Sequence, residues 1–469
     1  MRLIAVLFIL IVASIGAFLF FMRGYAKTPK ALPKETATPS EDWVKDAVIY
    51  ELFVRNFTLE GTLNAATARL AELQRLGATV VWLMPIHPIG EVKRKGSLGS
   101  PYSVKDYFDV SPDLGTKDDL KNFVAEAHRL GLKVILDVVI NHTAWDNALI
   151  KTNANFYTRD KDSNIVSPNK DWSDVADLNY AVPELRRYMT DMLLSWIREC
   201  DVDGYRCDVS ELIPMDFWKE CNAELRAAKP SLMLLSEGTL PEHHVIGFDL
   251  TYSWNVYDAL VAVVSGKKPA TALDEVLEIE AKVFPQNTLR LRFNTNHDKN
   301  AYDGTPTELY KGKAAAKTTA VLAFTLGGYE TLRGVPMLYN GDEVGNTKRI
   351  GLFEKEPIEW KTENAEEFRA FYTELIALRR RESALRRGTM TKLKSSNDEA
   401  VFAYERTHEN SRVVVALNLR NAPFTGFLKV DADKTLLDVF DAQKEFATKD
   451  GNLRLSLNSF EHKIFVYKL

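Results

Sequence analysis

Two charged residues, Arg206 and Asp208, lie two positions apart in DVDGYRCDVSELIPMDFW, which otherwise has the composition of a buried strand. Residues two apart on a strand share a face, so both side chains point the same way. Burying unpartnered charge strongly disfavours folding. These residues must therefore pair with other charges or face a cleft.

Further polar residues stand at the ends of other short apolar runs. They are Asp137, Asn141 and His142 in LKVILDVVINH, Glu237 in LMLLSE, and His297 and Asp298 in LRFNTNHD. If these runs are parallel strands of one barrel, their carboxyl ends meet at the mouth where barrel active sites lie. Besides Asp137, three carboxylates, two imidazoles and a guanidinium are then expected around one cleft.

A cleft with three carboxylates suits two chemistries. Glycoside cleavage needs one carboxylate as nucleophile and one carboxylic acid to protonate the leaving oxygen, and a third can hold sugar hydroxyls. Metal-assisted hydrolysis also uses Asp, Glu and His. Arg206 argues against a metal, because a fixed cation opposes metal binding beside Asp208. The same cation is expected to keep Asp208 ionised at neutral pH, as a nucleophile requires.

The elements that must position these residues are short apolar runs separated by segments with helical periodicity. The eight runs are AVIYELFV, ATVVWLMP, LKVILDVVINH, VDGYRCDVS, LMLLSE, FDLTYSW, TLRLRFNTNHD and GVPMLYNGDE. Strands buried on both faces lack polar alternation, so the pattern predicts an α/β fold with a closed (β/α)₈ TIM barrel. A doubly wound open sheet is the alternative.

Two segments depart from a plain barrel over residues 43–386. Residues 143–182 are polar, aromatic and too long for an ordinary connection, which predicts a small inserted subdomain after the third strand. In residues 387–469 the pattern changes to short strands with turns, such as AVFAYERTH and RVVVALNLR. That change predicts a separate C-terminal antiparallel β-sandwich domain.

A separate apolar segment begins the chain. Residues 3–22 carry no charge and have basic neighbours, which is long enough for a membrane-spanning helix. The GYA triplet at 24–26 instead has the form of a signal cleavage site. We predict a membrane anchor, which the length favours, or a signal segment over residues 1–26. A flexible linker over 27–42 and an extracytoplasmic location, secreted or membrane-anchored, are expected in either case.

Composition limits the function classes. The chain has 469 residues, 46% hydrophobic, and a net charge of −4 from 60 basic and 64 acidic residues. It can bury a large core, and it has no basic excess for binding nucleic acid. Its three cysteines, Cys200, Cys207 and Cys221, lack the spacing of a zinc site or a disulfide framework. They are predicted to be free, buried thiols.

These motifs resemble the signatures of the α-amylase family of retaining α-glycosidases. DVVINH, GYRCD, LLSEG and NTNHD are similar to its first to fourth signatures and occur in the same order. VADLN, at 175–179, resembles a motif of its inserted subdomain, and GVPMLYNGDE resembles the stretch on its last barrel strand. The resemblance covers nearly everything from Ala47 onward. It implies an enzyme that cleaves α-glucosidic bonds in α-glucans or maltooligosaccharides.

The resemblance implies roles for the matching residues. Asp208 is the implied nucleophile, Glu237 the general acid/base, and Asp298 the group that binds and distorts the sugar at the cleavage point. The residues implied to contact that sugar or orient the nucleophile are Tyr102, His142, Arg206 and His297. Asn141 matches a frequent calcium ligand, so calcium is the only cofactor implied. Asp137 matches a mainly structural position, and we interpret it as a buried acid bonded to backbone.

The sequence also departs from the family pattern. Typical amylases carry a Lys-His pair, which contacts the leaving-group sugars, where this chain has Glu211 and Leu212. Tyr102 is preceded by Ser-Pro and followed by Ser103, where many members have Gly before the tyrosine and Asp after it. The three carboxylates remain. These departures therefore concern the substrate and its length, not the reaction type.

Other functions stay open at this stage. Transglycosylation uses the same residues and differs only in which acceptor reaches the intermediate. The heavy chains of amino-acid transporters resemble this family and join one spanning helix to an amylase-like ectodomain that acts as a binding partner. The intact carboxylates argue against a purely structural role. Trp145 and Trp172 are equally suited to the subdomain core and to sugar stacking.

Overall fold

The computed structural model describes residues 30–430, 434–441 and 444–467. Its first ten strands are β1 (Ile49–Leu52), β2 (Val80–Leu83), β3 (Lys133–Val138), β4 (His142–Ala144), β5 (Val175–Asp177), β6 (Gly204–Cys207), β7 (Met233–Ser236), β8 (Leu250–Tyr252), β9 (Leu289–Arg292) and β10 (Arg333–Tyr339). Eight of them close a parallel barrel in the order β1-β10-β9-β8-β7-β6-β3-β2. The TIM barrel prediction is confirmed, and the doubly wound sheet is excluded.

The barrel strands are buried on both faces. Side chains of the inner face, such as Ile49, Ile135 and Met233, form one apolar cluster. Side chains of the outer face, such as Val81 and Leu136, pack against the helices in a second cluster. Both faces exclude water, which explains why the strands read as continuous apolar runs.

Helices surround the barrel. They are α1 (Asp42–Lys45), α2 (Val54–Phe57), α3 (Leu63–Thr67), α4 (Leu70–Leu76), α5 (Lys117–Arg129), α6 (Leu149–Thr152), α7 (Pro183–Cys200), α8 (Met215–Ala228), α9 (Trp254–Val264), α10 (Thr271–Val283), α11 (His297–Tyr302), α12 (Pro306–Leu309), α13 (Lys313–Thr325), α14 (Ala365–Arg381) and α15 (Ser383–Arg387). Local signals set their ends: Thr116 and Asp119 form a capping box on α5, and Pro183 begins α7. The cysteines are free and buried, as predicted.

The inserted subdomain and the C-terminal domain are both present. In the insertion, β4 and β5 pair as an antiparallel ribbon. His142 therefore begins β4 and does not end the third barrel strand, which stops at Val138. The C-terminal strands are β11 (Thr389–Lys392), β12 (Val401–His408), β13 (Ser411–Asn418), β14 (Phe424–Lys429), β15 (Thr435–Asp438), β16 (Glu445–Ala447), β17 (Asn452–Leu457) and β18 (His462–Tyr467). They form a six-stranded and a two-stranded antiparallel sheet.

The predicted flexible linker is wrong for its described part. Leu32 is buried, and its backbone N–H donates to Val283 O over 2.8 Å. Thr38 N–H donates to His244 O over 2.7 Å, on the 3₁₀ turn Pro241–Val245 that connects β7 to β8. Composition predicted flexibility because the segment is rich in Pro, Thr and charged residues. Packing against α10 and the 3₁₀ turn orders it nevertheless.

The predicted anchor or signal over residues 1–26 lies outside the described residues. Among residues 30–430, 434–441 and 444–467, none of the helices has both the length and the apolarity needed to span a bilayer.

Candidate active site

The carboxylates Asp208 and Glu237 follow two neighbouring barrel strands. β6 and β7 pair in parallel and in register up to their last residues, so both carboxylates leave the barrel at the same level. A Cβ at Gly204 would lie 2.0 Å from Met233 O, so only glycine permits this close approach of the two strands. The glycine of GYRCD thus sets the spacing of the strands that carry the carboxylates.

Arg206 holds both carboxylates. Its Nη1 donates hydrogen bonds to Asp208 Oδ1 over 2.8 Å and to Asp137 Oδ1 over 2.9 Å. Its Nη2 forms an ion pair with Glu237 Oε2 at 2.8 Å. The guanidinium is fully buried, with its carbon 5.2 Å from the centre of the Trp82 ring. Asp137 therefore bonds to the side chain of Arg206, whereas the sequence interpretation gave it a backbone partner.

Burial governs the protonation of this cluster. Burial raises the pKa of Asp208, Arg206 opposes the rise, and the carboxylates of Glu237 and Asp137 add to it, so the net shift is upward. Burial likewise raises the pKa of Asp137 to about 6 against the effect of Arg206. Arg206 acts on Asp208 in the expected direction, but burial outweighs it, so the net shift in the pKa of Asp208 is opposite to the one expected. The cluster keeps a proton to higher pH than separate carboxyls would.

Residues that follow Asp208 fix Glu237. The backbone N–H of Val209 donates to Glu237 Oε2 over 2.8 Å. The Ser210 hydroxyl donates to the Glu237 carbonyl over 3.0 Å. Val209 adopts a left-handed conformation, φ 35° and ψ 43°, which is strained for a β-branched residue. The loop after β6 therefore holds both the side chain and the backbone of Glu237.

Asp298 lies on another wall of the mouth. It is in the first turn of α11, which Asn296 caps by accepting a hydrogen bond from Lys299 N–H. Its Oδ2 is 3.4 Å from His297 Nε2, and its side chain is 37% exposed. The side chains of Asp208 and Glu237 are 9% and 13% exposed. Asp298 is therefore the most accessible of the three carboxylates.

Tyr102 connects these walls. Its ring stacks on His297 with 5.3 Å between ring centres and 21° between planes. Its hydroxyl donates to Asp137 Oδ2 over 3.1 Å and lies 2.8 Å from His297 Nε2. The structure thus brings Tyr102 and His297 together with the carboxylate cluster, although their sequence separation is 195 residues.

Sequence reasoning missed one carboxylate of this site. Glu51 on β1 is fully buried, and its Oε1 lies within hydrogen-bond distance of His297 Nδ1, at 2.5 Å. The signal is present, because a glutamate inside AVIYELFV is as costly to bury as the charges of GYRCD. No signature motif contains it.

His142 lies at the border with the inserted subdomain. Burial lowers its pKa to about 4, so the ring is neutral at neutral pH. Asn141 Nδ2 donates to His142 Nδ1 over 3.2 Å. The Trp172 ring lies 5.4 Å from the His142 ring, whereas Trp145 Nε1 donates to Ser173 O. Trp172 is therefore beside the site, and Trp145 is bonded within the subdomain.

The calcium role of Asn141 stays a prediction. Calcium takes several oxygen ligands, chiefly carboxylates and carbonyls. The amide nitrogen of Asn141 bonds to His142, and Asp174 pairs with Lys95 at 2.9 Å. In the described part of the chain, no group of three or more His, Cys, Asp and Glu side chains is gathered to hold a metal. The residues present do not form an acidic calcium cage, so no step of the reaction is derived through a metal.

Glu211, which replaces the family's lysine, points back into the protein. Its Oε1 accepts hydrogen bonds from the Thr239 N–H and, over 3.0 Å, from the Thr239 hydroxyl. Leu212 beside it is 39% exposed. Glu211 therefore braces the loop that follows Glu237, and Leu212 presents an apolar surface in place of a histidine.

Two sequence families match the chain. The model of the α-amylase catalytic domain matches residues 32–174 and 168–407. The model of the maltogenic amylase C-terminal domain matches residues 390–464. Together they cover the barrel, the insertion and the C-terminal sheets.

Curated relatives agree with this match. Alpha-amylase MalA of Haloarcula japonica is 29% identical over 89% of this chain and 61% of its own length. A cyclomaltodextrinase of Geobacillus thermopakistaniensis is 28% identical over 89% of this chain and 76% of its own length. This chain thus spans about three fifths of the haloarchaeal protein.

Solved structures give the same result. A maltogenic α-amylase, AmyB, from Thermotoga neapolitana superposes with a TM-score of 0.82 at 29% identity and covers 91% of this chain and 99% of its own. An α-amylase from Lactobacillus plantarum has a TM-score of 0.80 at 29% identity, with 91% of this chain and 100% of its own covered. With the barrel, the carboxylate cluster and a match to the catalytic-domain family over residues 32–407, the chain belongs to the α-amylase family of glycoside hydrolases.

Proposed function

We propose that this enzyme hydrolyses α-glucosidic bonds in short α-glucans, such as maltooligosaccharides and cyclic maltodextrins, by a retaining double displacement. The observation that carries the proposal is the Arg206 guanidinium, which holds the carboxylates of Asp208 and Glu237 side by side at the barrel mouth. A retaining enzyme needs two carboxyl groups about 5–5.5 Å apart, without room for an intervening water.

The reaction follows from these positions. Asp208 attacks the anomeric carbon and forms the glycosyl-enzyme bond, while Glu237 gives its proton to the departing oxygen. Glu237, now a carboxylate, then takes a proton from water, and the resulting hydroxide displaces Asp208 from the sugar. Asp298, the most exposed carboxylate, binds hydroxyls of the sugar at the cleavage point. Tyr102 presents its ring beside that sugar, with its hydroxyl held by Asp137.

The charge state of the cluster supports this cycle. The reaction starts with one ionised carboxylate and one carboxylic acid, and the raised pKa of Asp208 shows that burial favours a retained proton. Because the two carboxyls are coupled, they share this proton, and the first step requires it to be on Glu237 when Asp208 attacks. Arg206 stays charged through both steps, because Asp137 and Glu237 outweigh the effect of its burial and raise its pKa.

The preference for short substrates is supported by two observations. Relatives and neighbours include a cyclomaltodextrinase and a maltogenic α-amylase. Glu211 bonds to Thr239 and does not offer a cation to the leaving-group sugars. We therefore assign lower activity on long starch chains than on oligosaccharides.

Incubation of the purified protein with maltooligosaccharides, cyclodextrins, pullulan and starch, followed by product analysis, tests the proposal. Hydrolysis of maltooligosaccharides and cyclodextrins with slow starch cleavage supports it. Products longer than the substrate identify transglycosylation instead. No product from any α-glucan overturns the proposal.

The stereochemistry gives an independent test. A double displacement releases the α-anomer first from an α-linked substrate. Proton NMR of the reducing end during the first minutes distinguishes it from the β-anomer before mutarotation. Release of the β-anomer first rules out Asp208 as the nucleophile.

We also propose that the enzyme acts outside the cytoplasm. The support is the uncharged run at residues 3–22, which has the length of a membrane anchor and the basic flanks of an export segment. Cell fractionation with an antibody against the barrel tests this: recovery in the cytosol excludes export, and release from membranes only by detergent identifies an anchor.

A further inference from the structure

Glu51 is a buried carboxylate for which the double displacement assigns no step. It lies in the middle of β1, with an exposed fraction of 0%. Its Oε1 lies 2.5 Å from His297 Nδ1, and its Oε2 has no hydrogen-bond partner among the described residues. A carboxylate buried in a barrel is costly unless a charge compensates it. His297 is its only ion-pair partner in the described part of the chain.

The count of protons decides the form of His297. The Tyr102 hydroxyl lies 2.8 Å from His297 Nε2 and 3.1 Å from Asp137 Oδ2, and it has one proton to donate. Suppose that His297 is neutral and carries its proton on Nδ1. Both His297 Nε2 and Asp137 Oδ2 are then acceptors, and both require the one proton of the Tyr102 hydroxyl. If His297 is an imidazolium, Nε2–H donates to Tyr102, and Tyr102 donates to Asp137. With the carboxyls of Glu51 and Asp137 both ionised, only the imidazolium satisfies every contact.

The chain of hydrogen bonds continues to the reacting group. Asp137 accepts from Tyr102 through Oδ2 and from Arg206 through Oδ1, at 3.1 and 2.9 Å. Arg206 donates through the same Nη1 to Asp208 Oδ1 at 2.8 Å. An unbroken series of donors and acceptors therefore runs from β1 across the mouth to Asp208.

The surroundings of His297 favour its charge. Glu51 faces it from β1, Asp298 from α11, and the Trp82 ring meets it edge-to-face from β2. Tyr102 stacks on it from a loop, and Asp137 and Arg206 act on it electrostatically from β3 and β6. Burial lowers the pKa of His297 and Arg206 opposes its charge, but Asp298 and Glu51 outweigh both and raise the pKa to about 9.

We propose that Glu51 is a positioning residue that holds His297 as an imidazolium and thereby orients Tyr102 and, through Asp137 and Arg206, the carboxylate of Asp208. Glu51 and His297 together carry no net charge, so the pair orders the site without adding to its negative charge. The inference rests on the proposed function only for its effect on turnover. The charge of His297 can be tested without substrate.

The decisive measurement is the titration of His297 in the full folded chain. Histidine labelled at the ring Cε1 gives NMR signals for the eight His residues, and the signal missing in His297→Gln is assigned to His297. In Glu51→Gln the oxygen still accepts from Nδ1, but the negative charge is gone. We expect the pKa of His297 to fall by at least about one unit. An unchanged titration overturns the proposal.

Glu343→Gln is the matched control. Glu343 is also a buried carboxylate at the barrel mouth, but it accepts from the Tyr50 hydroxyl over 2.6 Å. Removing its charge is expected to leave the His297 titration unchanged. An equal shift in both variants indicates a general effect of lost buried charge and overturns the specific role of Glu51.

The pH dependence of kcat and kcat/KM adds a measurement that would not change if Glu51 had only a structural role. Glu51→Gln is expected to lower kcat about tenfold at pH 8 and to move the alkaline limb of kcat/KM to lower pH. Glu51→Asp keeps the charge and should restore part of the limb. If Glu51→Gln does not fold, the wild-type titration of His297 decides, and a pKa at or below the ordinary value of about 6.5 overturns the proposal. A loss that is uniform across pH overturns the proposal. An inactive wild type whose His297 titrates as expected refutes the proposed function and leaves this inference intact.

Discussion

The backbone N–H of Val209 donates a hydrogen bond to the carboxylate of Glu237, with 2.8 Å between N and Oε2. Val209 holds φ 35° and ψ 43° to make this contact. The left-handed conformation costs a non-glycine residue roughly 1–2 kcal/mol. The strain at Val209 is therefore tied to the orientation of Glu237.

Substitution of Val209 by glycine or by proline distinguishes the effect of the backbone strain from the effect of the hydrogen bond to Glu237. Val209→Gly relieves the strain and keeps the N–H, so we expect stability within about 1 kcal/mol of the wild type and most of kcat retained. Val209→Pro removes the N–H and requires φ near about −65°, so kcat and melting temperature should both fall. Steady-state kinetics and thermal unfolding of both variants check this. Equal losses of kcat in the two variants would contradict the role of the N–H.

Replacing either reacting carboxyl should abolish turnover while the fold persists. We expect Asp208→Asn and Glu237→Gln to lose at least about a thousandfold in kcat, because each removes one chemical role and keeps the shape. Cys207→Ala is the matched control, since Cys207 is buried in the cluster that packs against the helices. Assays on maltotriose with circular dichroism decide the point. A loss below about tenfold in either variant would refute the assignment.

Stability should depend on pH through the same cluster. The pKa of Asp208 is raised well above 3.8 in the folded chain, so the unfolded chain ionises first as the pH rises. The contribution of Asp208 to the free energy of unfolding therefore decreases as the pH rises from the pKa of this group in the unfolded chain to its pKa in the folded chain. Asp208→Asn cannot ionise, so its stability relative to the wild type should increase as the pH rises above about 4, the pKa of an aspartate in the unfolded chain. Urea unfolding at several pH values measures this, and a pH-independent difference would be inconsistent with a raised pKa.

The Tyr102 hydroxyl should matter more than its distance from the reaction suggests. Tyr102→Phe keeps the stacked ring and leaves Asp137 and His297 without their shared partner. We expect kcat to fall about 10–100-fold, the equivalent of about 1–3 kcal/mol for an unsatisfied buried group. Tyr107→Phe, which removes a hydroxyl that donates to the backbone carbonyls of Val139 and His142, is the control for stability effects. A kcat for Tyr102→Phe within twofold of the wild type would argue against the network.

The residues after Asp208 should set the preferred chain length. The double variant Glu211→Lys, Leu212→His introduces the family's leaving-side pair, and we expect kcat/KM for long α-glucans relative to maltotriose to rise about 3–10-fold. Glu211→Gln keeps an acceptor for Thr239 and serves as the control. Product profiles of the three proteins provide the measurement. An unchanged profile in the double variant would show that other loops shape this side of the cleft.

Much of the site was predictable because it depends on local patterns. Arg206 and Asp208 are recognisable in the sequence as two charged residues on one face of a buried strand. The apolar runs predict eight barrel strands, and a closed barrel requires their carboxyl ends to meet. The mouth residues Glu237, His297 and Asp298 follow from that requirement.

What the sequence could not determine depends on long-range packing. Glu51 stands alone in an apolar run, and only closure of the barrel, with β10 paired between β1 and β9, brings it to His297, 246 residues away. The burial of Leu32 was not predictable either, because a segment without helical or strand periodicity is ordered by the surface against which it packs. The net pKa shift of Asp208 was mispredicted from its nearest neighbour, because burial, a property of the whole fold, outweighs the cation that the sequence places beside it. Local spacing therefore determined which groups face the cleft, and tertiary structure decided which of them touch and what charge they carry.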